Sequence, residues 1–163
     1  MARVAAAAER SPTASPAPVS ASPETLFKAL TETDGLASFW TSDSHAEPVV
    51  GSVSRFGFPS GSKVELRVDE LVPGRRVVWT MLSDTLHGPK WTGTRVTWEM
   101  TPVEGGLTEV LFKQTNWPPG LVEGDWHKAL AGVTFAWAGV LRALKGYAET
   151  GSPQPHFTTV PRS

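Results

Sequence analysis

The chain has no cysteine among its 163 residues. That excludes a disulfide framework, a thiolate nucleophile and any cysteine-based metal centre, and it suits a reducing compartment, so the cytoplasm is the expected location. Long apolar runs are also missing: nothing approaches the roughly 20 residues that span a bilayer. Met1 to Glu9 offers only Val4 to Ala8 before Glu9 and Arg10, short of a signal-peptide core. Neither secretion nor membrane insertion is expected. Charge is sparse and balanced, with 15 Lys and Arg against 16 Asp and Glu and a net charge of −1. No basic stripe can form on that balance, which disfavours nucleic acid as a partner.

Common catalytic signatures are absent as well. The sequence contains no G-x-S-x-G elbow, no G-x-x-x-x-G-K-[ST] loop, no G-x-G-x-x-G turn and no H-E-x-x-H pair. Its four histidines, His45, His87, His127 and His156, are too scattered for a local metal motif, and neither a metal nor another cofactor is called for. Tyrosine occurs once, yet there are seven tryptophans and seven phenylalanines. Large aromatic side chains line cavities as readily as they fill cores, so their positions must decide between the two. Hydrophobic residues make up 40 % of the chain, enough at this length for one folded domain with tails.

From Ser11 to Pro18 the sequence reads SPTASPAP, whose prolines cannot donate to a central strand. The expected organisation is a flexible Ala/Pro-rich tail over 1–16, a domain over 17–151 and a C-terminal tail over 152–163. A short edge strand is expected from Ala17 to Ser20. Ser22-Pro23-Glu24 is a helix start, combining a capping hydroxyl, a residue with preset φ and a carboxylate at the positive end of the dipole. A second short helix is expected after Asp34-Gly35, ending at Trp40.

From about Val49 the apolar period becomes two. Ser54, Phe56 and Phe58 share a face. Val64, Leu66 and Val68 alternate with charged residues, Val77, Trp79 and Met81 form a third set, and Val96, Trp98 and Met100 a fourth. Thr108, Val110, Phe112 and Gln114 complete the series. Pro59-Ser60-Gly61, Pro73-Gly74 and Glu104-Gly105-Gly106 separate these runs as turns, so neighbouring strands can pair as hairpins. After Pro118-Pro119-Gly120 the period turns helical, with Leu130, Val133, Thr134, Trp137, Leu141 and Leu144 at three- and four-residue steps. A helix from about Trp126 to Thr150, stopped by Gly151 and Pro153, would be roughly 37 Å long at 1.5 Å per residue. The expected fold is α+β, an antiparallel sheet of hairpin-paired strands with that helix laid across it. Its core should contain Leu26, Leu30, Trp79, Val96, Trp98, Val110, Phe112, Val133, Trp137, Leu141 and Leu144.

Four stretches carry a resemblance: Ser22 to Leu30, Val68 to Arg76 (VDELVPGRR), Trp91-Thr92-Gly93-Thr94, and Ala136 to Gly151 (AWAGVLRALKGYAETG). In this order they resemble the SRPBCC (START-like) superfamily, within it the branch of Hsp90 ATPase activator homologues. The resemblance implies an α+β fold of the helix-grip kind, a curved antiparallel sheet of about six or seven strands around the long C-terminal helix, in the order strand, two short helices, six strands, long helix, with a cavity between sheet and long helix. Near the end of the last strand, where that branch often has His, this chain has Gln114, an amide unable to act as acid or base near neutral pH.

The side chains placed inward are Trp40, Phe56, Phe58, Trp79, Met81, Trp98, Phe112, Gln114, Thr134 and Trp137, with Trp117 on a loop that could frame the mouth. These are the candidate ligand-binding residues. For Phe112 and Met81 a purely structural role is an equal reading. Gln114, a lone amide on an inward phase, needs partners that a ligand or trapped water could supply. Charged strand residues such as Lys63, Glu65, Arg67, Asp69, Arg95 and Glu99 fall opposite the apolar phase and read as a solvated face of cross-strand ion pairs. The leading reading is a module that binds a small hydrophobic molecule, aromatic, polyketide-like or lipid-like. A cyclase- or aromatase-like enzyme is the alternative, with only Asp84, His87, Asp125 and His127 available at the rim. A chaperone-regulating interaction module is a third reading, and a homodimer is open.

Overall fold

A computed structural model of the chain describes residues 13–14, 17–86, 91–120 and 126–159. The elements are β1 (Thr13–Ala14), α1 (Pro23–Thr31), α2 (Thr33–Phe39), β2 (Asp43–His45), β3 (Val53–Gly57), β4 (Lys63–Val72), β5 (Arg76–Asp84), β6 (Arg95–Val103), β7 (Leu107–Thr115) and α3 (Trp126–Thr150). The strands form one sheet in the order β1-β7-β6-β5-β4-β3-β2, every pair antiparallel. Helices α1 and α2 make the crossing from one edge of the sheet to the other.

Local chemistry accounts for most boundaries. Ser22 accepts the Thr25 amide at 3.1 Å and caps α1, with Pro23 at the first helical position. Helix α2 starts earlier than the sequence suggests. Gly35 lies inside it rather than ahead of it, because a Cβ at 35 would stand 2.5 Å from the Ala29 Cα and the two helices could not approach. The first strand also differs from expectation. Thr13–Ala14 pair with Lys113 and Phe112, and Val19 makes only an isolated bridge to Thr108. Pro16 and Pro18 lack the N–H that a continuous ladder needs. Of the flexible tail expected over 1–16, Thr13–Ala14 are in the sheet and the other residues lie outside the described residues. Strand β2 carries no apolar alternation, so periodicity could not reveal it, although the resemblance implies its place.

Two register shifts in the β4–β5 pair shape the sheet. Glu65 pairs with Ser83 but Leu66 with Met81, and Val68 pairs with Trp79 but Glu70 with Val78. Each shift inserts an unpaired residue, Leu82 in one strand and Asp69 in the other, and such bulges bend and twist a sheet. The sheet thereby curls around α3. All eleven expected core residues are buried, as are Leu36 and Phe39 of α2. On α3 the buried stripe is Val133, Trp137, Val140, Leu141 and Leu144, the 3.6-residue period of a helix laid on a sheet. The far end of α3 is tied to the first segment: Lys145 Nζ donates to the Pro18 carbonyl at 3.0 Å, and the Ser20 amide donates to Glu149 at 2.9 Å. Hydrogen bonds from Lys145 and the Ser20 amide, aided by the Lys145 charge, hold the Glu149 carboxyl below its ordinary value.

The outer face is the ion-paired surface that alternation implies. Arg55 lies 3.3 Å from Glu65, Arg76 3.1 Å from Glu99, and Arg67 2.7 Å from Asp69. At Asp69 desolvation pushes the pKa up, but hydrogen bonds from Thr80 and Arg67 and the charges of Arg67 and Arg95 outweigh it, leaving the carboxyl below its ordinary value. Val78 stands on this face between Glu70 and Thr97 and is nevertheless 1 % exposed. Arginine stems cover apolar surface while their heads stay wet.

The described part of the C-terminal tail expected over 152–163 is seated on the body. Its amides bond to the end of α2, Gln154 to the Ser38 carbonyl, His156 to Phe39 and Phe157 to Trp40, at 2.9, 2.9 and 2.8 Å.

Candidate functional site

Between the concave face and the N-terminal half of α3 the side chains are almost all aromatic. Trp137 of α3 is the hub, with ring centroids 4.5 Å from Phe112, 5.3 Å from Trp40, 6.0 Å from Trp98 and 6.5 Å from Trp91. Trp40 stacks nearly parallel to Trp79 at 6.2 Å and lies 4.3 Å from Phe56, while Trp98 meets Phe112 edge-on at 4.9 Å. Each such pair stabilises by about 0.5–1.5 kcal/mol beyond the area it buries.

Gln114 has protein partners. It is fully buried, its Oε1 accepts the Trp137 indole N–H at 2.9 Å, and its Nε2 donates to Thr94 Oγ1 at 2.9 Å. Thr94 passes its own proton to the Trp91 carbonyl at 2.6 Å. An indole can only donate, so the amide oxygen must face Trp137. A ligand or water, one way the sequence left open to supply partners, is therefore not required to satisfy this amide. Trp117, expected at the mouth, is also buried and donates to the Gln114 carbonyl at 2.9 Å.

A cleft opens at the end of this cluster near Leu86. Its walls are Trp40, Phe58, Val64, Met81, Trp91, Ala136, Trp137, Val140 and Phe157, and it encloses about 30 Å³. Pockets for drug-sized ligands hold roughly 300–1,000 Å³, so in this conformation the rings fill the interior and leave room for about one water. Of the candidate residues, Trp40, Phe58, Met81 and Trp137 line the cleft. Phe56, Trp79, Trp98 and Phe112 form the packed wall behind it. Thr134 is a correction: it is exposed, because it falls at the edge of the stripe centred on Trp137, where helix rotation carries it clear of the sheet. Sequence reasoning missed Trp91, Val64, Val140 and Phe157 as lining. Val64 and Trp91 carried inward or aromatic signals, whereas nothing local marks Phe157.

One interior polar atom stands out, the Trp98 Nε1, which is buried with no hydrogen-bond partner among the described residues. Such an orphaned donor costs about 1–3 kcal/mol.

The rim candidates do not form an acid–base constellation among the described residues. Asp84 is not at the rim: the bulge at Leu82 shifts its phase, placing it opposite Val64 and 5 % exposed, with an oxygen accepting the Leu86 amide at 2.8 Å. His127 is exposed on α3, and His87 and Asp125 lie outside the described residues. No cluster of three or more metal-ligating side chains occurs among the described residues. No helix among them is long and apolar enough to cross a membrane.

Helix order, curled sheet and closing helix match one known family over most of the chain: activator of Hsp90 ATPase homolog 1-like proteins align with residues 20–149. The chain belongs to this family. Among family-like structures, the Aha1 dimer from Colwellia psychrerythraea is 31 % identical with a TM-score of 0.71, over 86 % of this chain and 97 % of that one. Protein MLL2253 from Mesorhizobium loti is 20 % identical with a TM-score of 0.69, over 84 % and 95 %. DynU16, a protein of the dynemicin biosynthetic locus, is 20 % identical with a TM-score of 0.67, over 89 % of this chain and 49 % of its own. At that identity the last two speak for the fold alone. No curated protein matches by sequence. As a member of the activator-homolog-like family, the chain has the fold its sequence resembles, α+β with a curled antiparallel sheet closed by a C-terminal helix.

Proposed function

We propose that this protein binds a small, largely aromatic molecule in the cleft between the sheet and the N-terminal half of α3. The observation that carries the reading is the cleft itself, walled by apolar side chains from β4, β5, α3 and the segments around Trp40 and Trp91, with no charged side chain in its lining. Two further features support it. The unpartnered Trp98 Nε1 behind the cleft is a donor that a ligand carbonyl or hydroxyl would satisfy. The polar ties of α3 to the rest of the described chain are uneven: Lys145 and Glu149 anchor its C-terminal end, while Trp137 to Gln114 is its hydrogen bond to the sheet. The turns of α3 ahead of Val133, which are exposed or half-buried, are thus the part that can swing to enlarge 30 Å³ into a ligand site.

Native mass spectrometry of freshly purified protein, followed by solvent extraction, tests the reading without guessing the compound. A bound species of a few hundred daltons is the expected result. Titration with aromatic candidates should change the tryptophan fluorescence, and Trp98→Phe should weaken binding several-fold; because that substitution also removes packing volume from a fully buried ring, its melting temperature is the control for lost stability. Absence of both a bound species and any fluorescence response defeats the proposal.

Self-association is a second reading, favoured by one observation. Phe135 on the outer face of α3 is 85 % exposed, an unusual exposure for a large aromatic in a chain with few exposed apolar side chains, and the Colwellia psychrerythraea relative is a dimer. Light scattering on wild type and Phe135→Ser tests it. A dimer that the substitution converts to monomer is the expected outcome, and a wild-type monomer at high concentration refutes it.

A further inference from the structure

After α3 the chain turns back as a strap. Its amides at Gln154, His156 and Phe157 bond to the carbonyls of Ser38, Phe39 and Trp40. Those carbonyls belong to the last turn and cap of α2, where a helix has no N–H donors of its own left to pair them. Phe157 then makes a parallel bridge with Thr41, the Ser42 amide donates back to the Phe157 carbonyl at 3.0 Å, and the Thr159 amide reaches Ser42 Oγ at 2.8 Å. The strap therefore has a defined seat, joined to the body by backbone bonds along one edge.

From that seat Phe157 closes the apolar cleft. Its ring meets Phe58 edge-on at 5.1 Å, shares the cleft lining with Trp40 and Val140, and is itself partly exposed, so it separates the interior from solvent. The seat is also built into α3. The His156 ring passes over Gly139, where a Cβ would stand 2.3 Å from its Cε1. A side chain at 139 would push that ring aside, so the glycine lets the strap lie close against the helix.

We propose that this strap is a self-supplied plug, with Phe157 standing where an aromatic ring of the ligand sits in the bound protein. The inference rests on the ligand-binding reading above and deepens it in two ways. It assigns the ligand class: an uncharged ring system of phenyl to naphthyl size, since what replaces Phe157 is received by Phe58, Trp40 and Val140. It also assigns a gate: binding releases residues 154–159 from α2, and the affinity of the intact protein is reduced by the fraction of time the strap is seated. A segment held along one edge and exposed on the other is the kind that opens without global unfolding.

The experiment compares wild type, Phe157→Ala and His156→Pro with the uncharged fluorescent probe N-phenyl-1-naphthylamine. Phe157→Ala removes the plug. His156→Pro removes the amide that holds the strap to the Phe39 carbonyl while keeping every side chain of the cleft, and serves if Phe157→Ala does not fold. Both should bind the probe roughly tenfold more tightly than wild type, as expected if the seated strap outweighs the open one by about that factor. In wild type, the amides of His156 and Phe157 should exchange faster with solvent hydrogen when the probe is bound. Equal probe affinity in all three proteins, with unchanged exchange at those amides, overturns the plug and leaves the cleft reading standing. Failure of all three to bind the probe overturns both.

Discussion

Replacing Gln114 by leucine probes the interior most directly, because shape is nearly kept while two hydrogen bonds are lost. The amide is fully buried and joins Trp137 Nε1 to Thr94 Oγ1, each at 2.9 Å. After the substitution Thr94 still donates to the Trp91 carbonyl, so it loses little. The Trp137 N–H, by contrast, loses its acceptor in an aromatic interior, at about 1–3 kcal/mol. The apolar gain of leucine offsets part of this, and the net loss expected is about 2 kcal/mol. Trp137→Phe alone deletes packing volume and leaves the Gln114 oxygen without its donor, and about 2–3 kcal/mol is expected from the two effects together. In the double variant neither orphan remains. It should therefore be less destabilised than the sum of the singles by about 1–2 kcal/mol, the coupling of two groups in direct contact. Urea unfolding measures this, provided the slope m is the same in all four proteins, so that midpoint shifts report stability. Losses that add to within about 0.5 kcal/mol would refute the reasoning, since the indole would then not depend on the amide.

Three shorter predictions address the frame around the cleft. Gly35→Ala should destabilise by about 1–3 kcal/mol or more, read from thermal melting, because the added Cβ lands 2.5 Å from the Ala29 backbone and two helices must separate. Ser22→Ala should cost about 1 kcal/mol through loss of the cap to the Thr25 amide, and Ser22→Thr should cost less. The Asp69 carboxyl is held below its ordinary value in the folded protein, so the unfolded chain takes up its proton first as pH falls. Its contribution is fully present above the ordinary carboxylate value near pH 4 and is lost as pH falls from there through the folded value. In Asp69→Asn, denaturant midpoints should accordingly change less between pH 6 and pH 3 than in wild type.

What the sequence determined by itself is whatever a short window of chain can express. The 3.6-residue stripe through Val133, Trp137, Leu141 and Leu144 places α3 at Trp126–Thr150, the Ser22-Pro23-Glu24 run marks the start of α1, and alternation sorts most of β4 to β7 into core and ion-paired outer face. Periodicity is a local property, so it survives in any tertiary context that gives each element one buried face. The rest needed segments far apart in the chain to meet. A single extra residue at Leu82 reverses the phase of the strand beyond it and turns Asp84 inward, since a one-residue slip exchanges the two faces of a strand. Gly35 takes its meaning from the Ala29 backbone and Gly139 from His156, and Gln114 finds its partners on β6's approach and on α3. Phe157 closes the cleft from a segment that carries no periodic signal at all. Contacts of this kind are set by how whole elements pack against one another, and that packing is decided by the assembled core rather than by any stretch of sequence read alone.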